Sequence, residues 1–225
     1  MQWYTNIWTP RSLVIIFARF TGSELTLSAL KSKQKDVTNG QIAQAQHFDS
    51  IDDVVGSFGK SAAYHLHLLG SGVLSRKLES LPNYKEELII SGNEEDFIFS
   101  AYDDGTSIAA SFFRKALIEE QLEQVKALKI HLLGISAGDA PLFTLEEDLS
   151  LNFDYKIVKE AGKIIAFERL KNGQEKVLID GSYFSLEQLL AKAIFQNLQE
   201  VSEQYSSSAS EAYASAHENY RQFNQ

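Results

Sequence analysis

The sequence contains no cysteine in its 225 residues. A disulfide, an iron–sulfur cluster and a thiol nucleophile are therefore excluded, and the usage suits a reducing compartment. Positive charge is not in excess either. The 21 Lys and Arg stand against 30 Asp and Glu, giving a formal net charge of −9 and a pI near 5.1. Nucleic acid and anionic lipid both need a basic surface, so neither is expected as the main partner. Long apolar runs are also missing. The longest, Leu13–Ala18, falls far short of the ~20 residues that a spanning helix needs. The opening MQWYTNIWTP lacks a basic segment followed by a long apolar one, so no signal peptide is expected. What is present, 44% hydrophobic and 23% charged side chains, is the composition of an ordinary globular protein. Its length allows one large domain or two small ones, and a cytoplasmic protein is expected.

Periodicity predicts a chain that opens with strands. Leu13–Phe20 is a continuous run rich in β-branched residues, short enough for a buried strand. Thr21-Gly22-Ser23 is a turn, Glu24–Leu30 alternates, and after a polar loop Gln41–Phe48 completes three strands. Ser50 then has the position of an N-cap with Asp53 at the third helical residue, before a stripe of Ile51, Val54, Val55 and Phe58. A second section follows, with strands at Tyr64–Leu69, Val73–Leu78, Asp96–Tyr102, Ser107–Phe113 and Ile130–Ile135. Asp104-Gly105 between two of these runs is a hairpin signal, and Ala116–Lys129 has helical spacing. From Asn152 the opening pattern returns. Strands are expected at Tyr155–Lys159, Lys163–Leu170 and Lys176–Asp180, then a helix capped by Ser185 with Gln188 in the capping-box position. Both ends thus read as strand, strand, strand, helix, either by duplication of a βββα unit or by convergence of two α/β sections on one plan.

Motifs that bring chemistry to mind fail on specific residues. Gly56-Ser-Phe-Gly59-Lys60-Ser61 ends like a phosphate loop, but Val54 stands where the first glycine belongs and a capped helix replaces the strand. It is expected to be the end of the first helix. Gly70-Ser71-Gly72 has Ser75 at the third glycine position of a dinucleotide fingerprint, so a plain turn is expected. His65 and His67 share one side of a strand, yet two ligands do not make a zinc site, and a polar strand face is the expectation. The acidic clusters Glu94-Glu95-Asp96 and Glu146-Glu147-Asp148 lack calcium-loop spacing and suit solvated loop charges. No Gly-x-Ser-x-Gly elbow is present. These residues therefore supply no catalytic, metal or cofactor-binding candidate.

The paired βββα plan around a strand-rich section resembles the actin-like fold of sugar kinases, Hsp70-type chaperones and actin. Within that group it is most similar to the cytoplasmic domains of type II secretion protein L and type IV pilus assembly protein M. Arg76, Leu81 and Pro82 match a strand–loop–Arg–Leu–Pro passage, Pro141-Leu142 a loop ending, and Phe167 and Arg169 the end of a Phe-x-Arg strand, in order over about Leu13–Leu198. The resemblance implies an α/β, actin-like or ribonuclease H-like fold of mixed sheets flanked by helices. It divides the chain into a first half with an inserted subdomain (1–145), a reduced second half (146–204) and a tail (205–225). Members that bind ATP carry an Asp-x-Gly on the first strand or hairpin. This chain has Ile16–Gly22 there, with no acid, and Lys159–Lys163 at the second hairpin, with no aspartate. The resemblance with these departures implies a non-catalytic scaffold without cofactor, docking protein partners at the cytoplasmic face of a secretion or pilus-type machine, peripheral to the inner membrane. A nucleotide-binding kinase or ATPase with unorthodox metal ligands is the alternative, and a small-molecule sensor is a third class. In the tail, Ala209, Tyr213, Ala216, Tyr220 and Phe223 fall at helical spacing, so Tyr213, Tyr220 and Phe223 are the candidate interaction residues, for a partner or a second copy in a homodimer.

Overall fold

The structure is a computed structural model that describes residues 12–38, 41–79, 83–89, 91–103, 105–145, 155–160, 163–169, 176–179 and 182–198, with 155–183 described by backbone alone. The first apolar run forms β1 (Ser12–Thr21), which turns at Gly22 into β2 (Glu24–Lys33). A short helix α1 (Gln34–Thr38) and a brief β3 (Gln46–Phe48) lead to α2 (Ile51–Phe58) and β4 (Ala63–Gly70). The chain then enters an inserted section of β5 (Val73–Glu79), α3 (Tyr84–Leu88), β6 (Phe97–Asp103) and β7 (Ser107–Arg114). It returns through α4 (Glu119–Leu128) to β8 (His131–Ala137). After a 3-10 turn at Ala140–Thr144 come β9 (Tyr155–Glu160), β10 (Lys163–Arg169), β11 (Lys176–Ile179), β12 (Ser182–Ser185) and α5 over 186–198.

The main sheet has the order β3-β2-β1-β4-β8, with the first three strands antiparallel and β1, β4 and β8 parallel. Strand alternation assigns its two faces. Val14, Ile16, Ala18, Tyr64, Leu66 and Leu68 pack against Ile51, Val54 and Val55 of α2 and Val125 of α4. Leu13, Ile15 and Phe17 pack on the other face against Leu142, Phe143 and the α5 residues Leu189, Leu190 and Ile194. Full burial of each such side chain contributes ~1.5–3 kcal/mol, so α5 is bound to the sheet by its whole apolar stripe. The inserted strands form a second sheet, β5-β7-β6, whose Val73, Ile98 and Phe113 join the α2 side of the core. On its far face Phe97, Phe99 and Phe112 cluster with Leu88 and Tyr84 of α3.

Local signals hold where they were strongest. Ser50 accepts from the Asp53 amide (3.1 Å) and donates to its carboxylate (2.6 Å), Gly59 ends α2 at φ 86°, and Gly105 turns the β6–β7 hairpin at φ 83°. Ser185 and Gln188 exchange the two capping-box bonds (2.9 and 3.3 Å). Glu94–Asp96 forms a capped 3-10 turn at the surface, as solvated loop charges should, while Glu146–Asp148 lies outside the described residues.

Three expectations change. The third strand is Gln46–Phe48 rather than Gln41–Phe48, because Ile42 turns into the α5 side of the core and its carbonyl accepts from Gln188 Nε2 at 2.6 Å. The helix expected from Ala116 begins as a 3-10 turn at Lys115–Ile118, and α4 starts only at Glu119, where no side chain caps it. Among the described residues the opening meander is not repeated near the carboxyl end. There β9 pairs with β10, whereas β11 pairs with β12, a strand not expected from sequence.

Candidate functional site

In open α/β sheets, ligands bind outside the carboxyl ends of the strands, where the strand order reverses. The reversal here lies between β1 and β4, beside the first hairpin, which is where the resemblance implies a grip on phosphate. Phe20 and Gly70 face each other at that end of the sheet. Gly70 has φ 84°, and a Cβ on it would stand 2.1 Å from the Phe20 carbonyl oxygen, so only glycine permits this approach. The next amide, Ser71 N–H, donates to that same oxygen at 2.7 Å. The Ser71 hydroxyl in turn accepts from the Gly22 amide at 3.1 Å. The hairpin tip and the β4–β5 turn are thus hydrogen-bonded to each other at the surface, and the glycine amide of the hairpin is bonded within the chain.

The charge beside this turn is positive. Arg19, one residue before Phe20, reaches across to the first turn of α5 and pairs with Glu187 at 3.2 Å. With side chains 35% and 22% exposed, such a pair contributes only ~0–1 kcal/mol. Its consequence is therefore local neutralisation rather than stability. A magnesium nucleotide would require oxygen anions for the metal and unbonded amides for the phosphates. From Ile16 to Gly22 the first hairpin offers a paired cation and an occupied amide but no carboxylate, so these residues do not fit that group. At the second hairpin Glu160 faces Lys163 across the turn, and residues 161–162 lie outside the described part. Among the described residues no three His, Cys, Asp or Glu side chains converge to hold a metal.

Deeper on the α5 face lies a polar cluster that the sequence placed on one strand side without its partner. His65 and His67 of β4 both contact Ser136 Oγ of β8, through Nε2 and Nδ1 respectively, each at 2.7 Å. Both rings are buried, which corrects the expected polar face to a buried one. A β-bulge brings the serine there. Tyr64 pairs with Leu132, but His65 pairs with Gly134, so Leu133 is the extra residue and the register moves Ser136 opposite His67. Gly134 leaves room for the His65 ring, which a Cβ would meet at 3.3 Å. Burial lowers His65 to a pKa of about 4. His67 falls to about 3 through burial first, then the neighbouring charges of His65 and Arg19, with the Gly138 backbone opposing. Both imidazoles are neutral near pH 7, and the hydroxyl, with one proton for two ring nitrogens, ties β4 to β8.

The other expected positions divide. Arg76 is exposed on β5, and Pro141 and Leu142 lie in the 3-10 turn, Leu142 fully buried. Phe167 and Arg169 lie on β10, while Leu81, Pro82, Tyr213, Tyr220 and Phe223 fall outside the described residues. Ser71, Ser136 and Glu187 were not singled out from sequence. The only trace was Ser71 between two glycines.

No family model matches the chain, and no curated protein matches it. Among solved structures it is similar to the cytoplasmic domain of EpsL, an inner membrane component of the type II secretion system of Vibrio cholerae. That likeness has 12% identity and a TM-score of 0.46 over 70% of this chain and 71% of that one. It is also similar to a Bacteroides thetaiotaomicron protein with an actin-like ATPase fold and unknown function, at 10% identity and a TM-score of 0.37 over 72% and 71%. A third likeness is to the PilM–PilN type IV pilus biogenesis complex, at 12% identity and a TM-score of 0.37 over 69% and 61%. No helix among the described residues is long and apolar enough to cross a membrane.

Proposed function

We propose that the chain is a non-catalytic scaffold of actin-like fold that docks protein partners at the cytoplasmic face of a secretion or pilus-type assembly. The observation that carries this is the hydrogen-bonded first hairpin. The Gly22 amide is bonded to Ser71, and Arg19, paired with Glu187, stands on the strand where ATP-binding members of the fold carry an acid. A surface that has lost its phosphate contacts but kept the sheet, its helices and an insertion is suited to holding other proteins. The secretion or pilus setting rests on the order of the sequence motifs around Arg76, Pro141 and Phe167. Residues 1–145 serve as the first half with its insertion, 146–204 as a reduced second half, and 205–225 as an interaction arm bearing Tyr213, Tyr220 and Phe223.

The test is thermal unfolding with and without magnesium ATP. A ligand at a hundred times its dissociation constant stabilises by about 2.7 kcal/mol, which moves the melting temperature by several degrees. We expect no shift up to millimolar nucleotide. A reproducible, saturable rise overturns the scaffold reading in favour of a nucleotide-binding kinase or ATPase.

A further inference from the structure

Among the described residues, the outer edge of β5 is the longest regular strand edge in the inserted sheet that no other strand covers. β5 is outermost in the order β5-β7-β6 and pairs with β7 from Val73 to Glu79 without a bulge. At the opposite side, β6 lies against β8 and the 3-10 turn, with Ser100 Oγ accepting from the Ala137 amide at 2.8 Å. The outer strands of the main sheet are β3, three residues long, and β8, against which β6 lies. Exposed edges are usually blunted by proline, a bulge, shortness or charge. β5 has no proline or bulge and is guarded by charge alone, with Arg76, Lys77 and Glu79 among its seven residues, so it admits only a strand whose charges suit these.

Three cross-strand rows on the α3 face end at β5: Leu74–Phe112–Phe99, Arg76–Ala110–Ala101 and Leu78–Ile108–Asp103. Leu74 is 54% exposed although Phe112 and Phe99 beside it stack at 6.1 Å, so apolar surface continues to the open edge. Arg76 stands in a row of alanines and forms no ion pair among the described residues. Other cations of this face are engaged: Lys85 with Glu94 and the Phe99 ring, and Arg114 over Phe97 at 5.5 Å.

We propose that β5 is a docking edge that takes an extended strand of a partner protein, with an acidic side chain set against Arg76 between two apolar ones set against Leu74 and Leu78. The pattern apolar–x–acid–x–apolar reads identically in both directions, so parallel and antiparallel addition satisfy the same three rows. A second copy of this edge is a poor occupant. With Val73 opposite the partner's Glu79, Arg76 would face its own equivalent, and like charges directly opposite are destabilising. Main-chain bonds supply affinity in such strand addition, and the alternate side chains supply specificity. This deepens the scaffold reading by naming a docking surface, and it makes no use of the hairpin.

The experiment titrates the full chain into fluorescein-labelled peptides TVTETVT and TVTKTVT, followed by anisotropy, with amide shifts of the labelled protein mapping the site. The glutamate peptide is expected to bind about fivefold tighter, with shifts confined to β5 and β7. R76E, an exposed change checked for folding by circular dichroism, should reverse the preference, and R76A should abolish it. Equal binding of the two peptides, binding of neither, or a preference that R76E leaves unchanged overturns the proposal. So does a dimer of the full chain whose dissociation changes with R76E, since a second copy then holds the edge. A failure here leaves the nucleotide result untouched, and a saturable ATP shift leaves the peptide preference untouched.

Discussion

Acid should destabilise this fold early, through two histidines. His65 and His67 titrate near 6.5 in an unfolded chain, but burial holds them at about 4 and about 3 when folded. The folded pKa values are depressed, so below pH 6.5 the unfolded state binds protons that the folded state refuses. Stability is then complete above pH 6.5 and falls as pH drops, until each group passes its folded pKa. Each contributes a slope of about 1.4 kcal/mol per pH unit inside its window. At about pH 5 both are protonated when unfolded and neutral when folded, and the loss reaches about 2 kcal/mol per histidine, or about 4 kcal/mol together. That is a large share of the ~5–15 kcal/mol by which domains are stable.

The geometry sharpens the expectation. Ser136 Oγ brings one proton to two ring nitrogens, so one ring donates to it and the other accepts from it. A proton added to the accepting nitrogen ends its acceptance from the hydroxyl, and on His67 it places a charge beside Arg19 and the other imidazole. Urea unfolding between about pH 7.5 and 5 measures the slope, and histidine ring resonances in the folded state report the titrations directly. The double variant H65Q/H67Q should flatten the profile over this range, with each single variant near half the slope. Parallel profiles for wild type and double variant would refute the reasoning. So would either ring titrating above pH 6 in the folded protein.

Two further outcomes follow from single positions. Gly70→Ala should cost more than 3 kcal/mol or prevent folding, because its Cβ meets the Phe20 carbonyl at 2.1 Å, whereas Gly105→Ala, at the similar φ of 83° but in open space, should cost about 1 kcal/mol. Equal losses in urea melts would show that φ, not the close approach, governs Gly70. Deleting residues after Tyr205 should leave the melting temperature of the rest within a few degrees while weakening self-association or partner capture. Unchanged sedimentation and pull-down behaviour would remove Tyr213, Tyr220 and Phe223 from any docking role.

Much of the fold was legible because its signals are local. The β-branched run at Leu13–Phe20 spans eight residues, the hairpin turn at Gly105 and the Ser50 and Ser185 caps act within four, and each is formed where expected. What misled was non-local. Nothing within Gln41–Ala45 shows that Ile42 is drawn under α5, because the Gln188 amide that secures its carbonyl lies 146 residues away. The pairing of Lys176–Ile179 with Ser182–Ser185 likewise depended on a strand of four residues, too short to show a period.

The same distinction explains why the candidate site had to be seen in three dimensions. The sequence does show that no acid stands between Ile16 and Gly22, but that absence alone leaves the backbone amides free to bind an anion. Whether they are free depends on Ser71, 49 residues from Gly22, and on the β1–β4 register that sets Phe20 against Gly70. A serine between two glycines reads as a turn residue in any sequence, and here that turn is hydrogen-bonded to the first hairpin beside the switch point. Ser136 is hidden in a similar way, since strict alternation from His131 would give its place opposite His67 to Ile135. One extra residue, Leu133, shifts the register, gives the histidines their shared hydroxyl and keeps Ile135 on the α2 side of the core. Registers of this kind are fixed by the sum of packing on both sheet faces, so they become legible only once the faces are known.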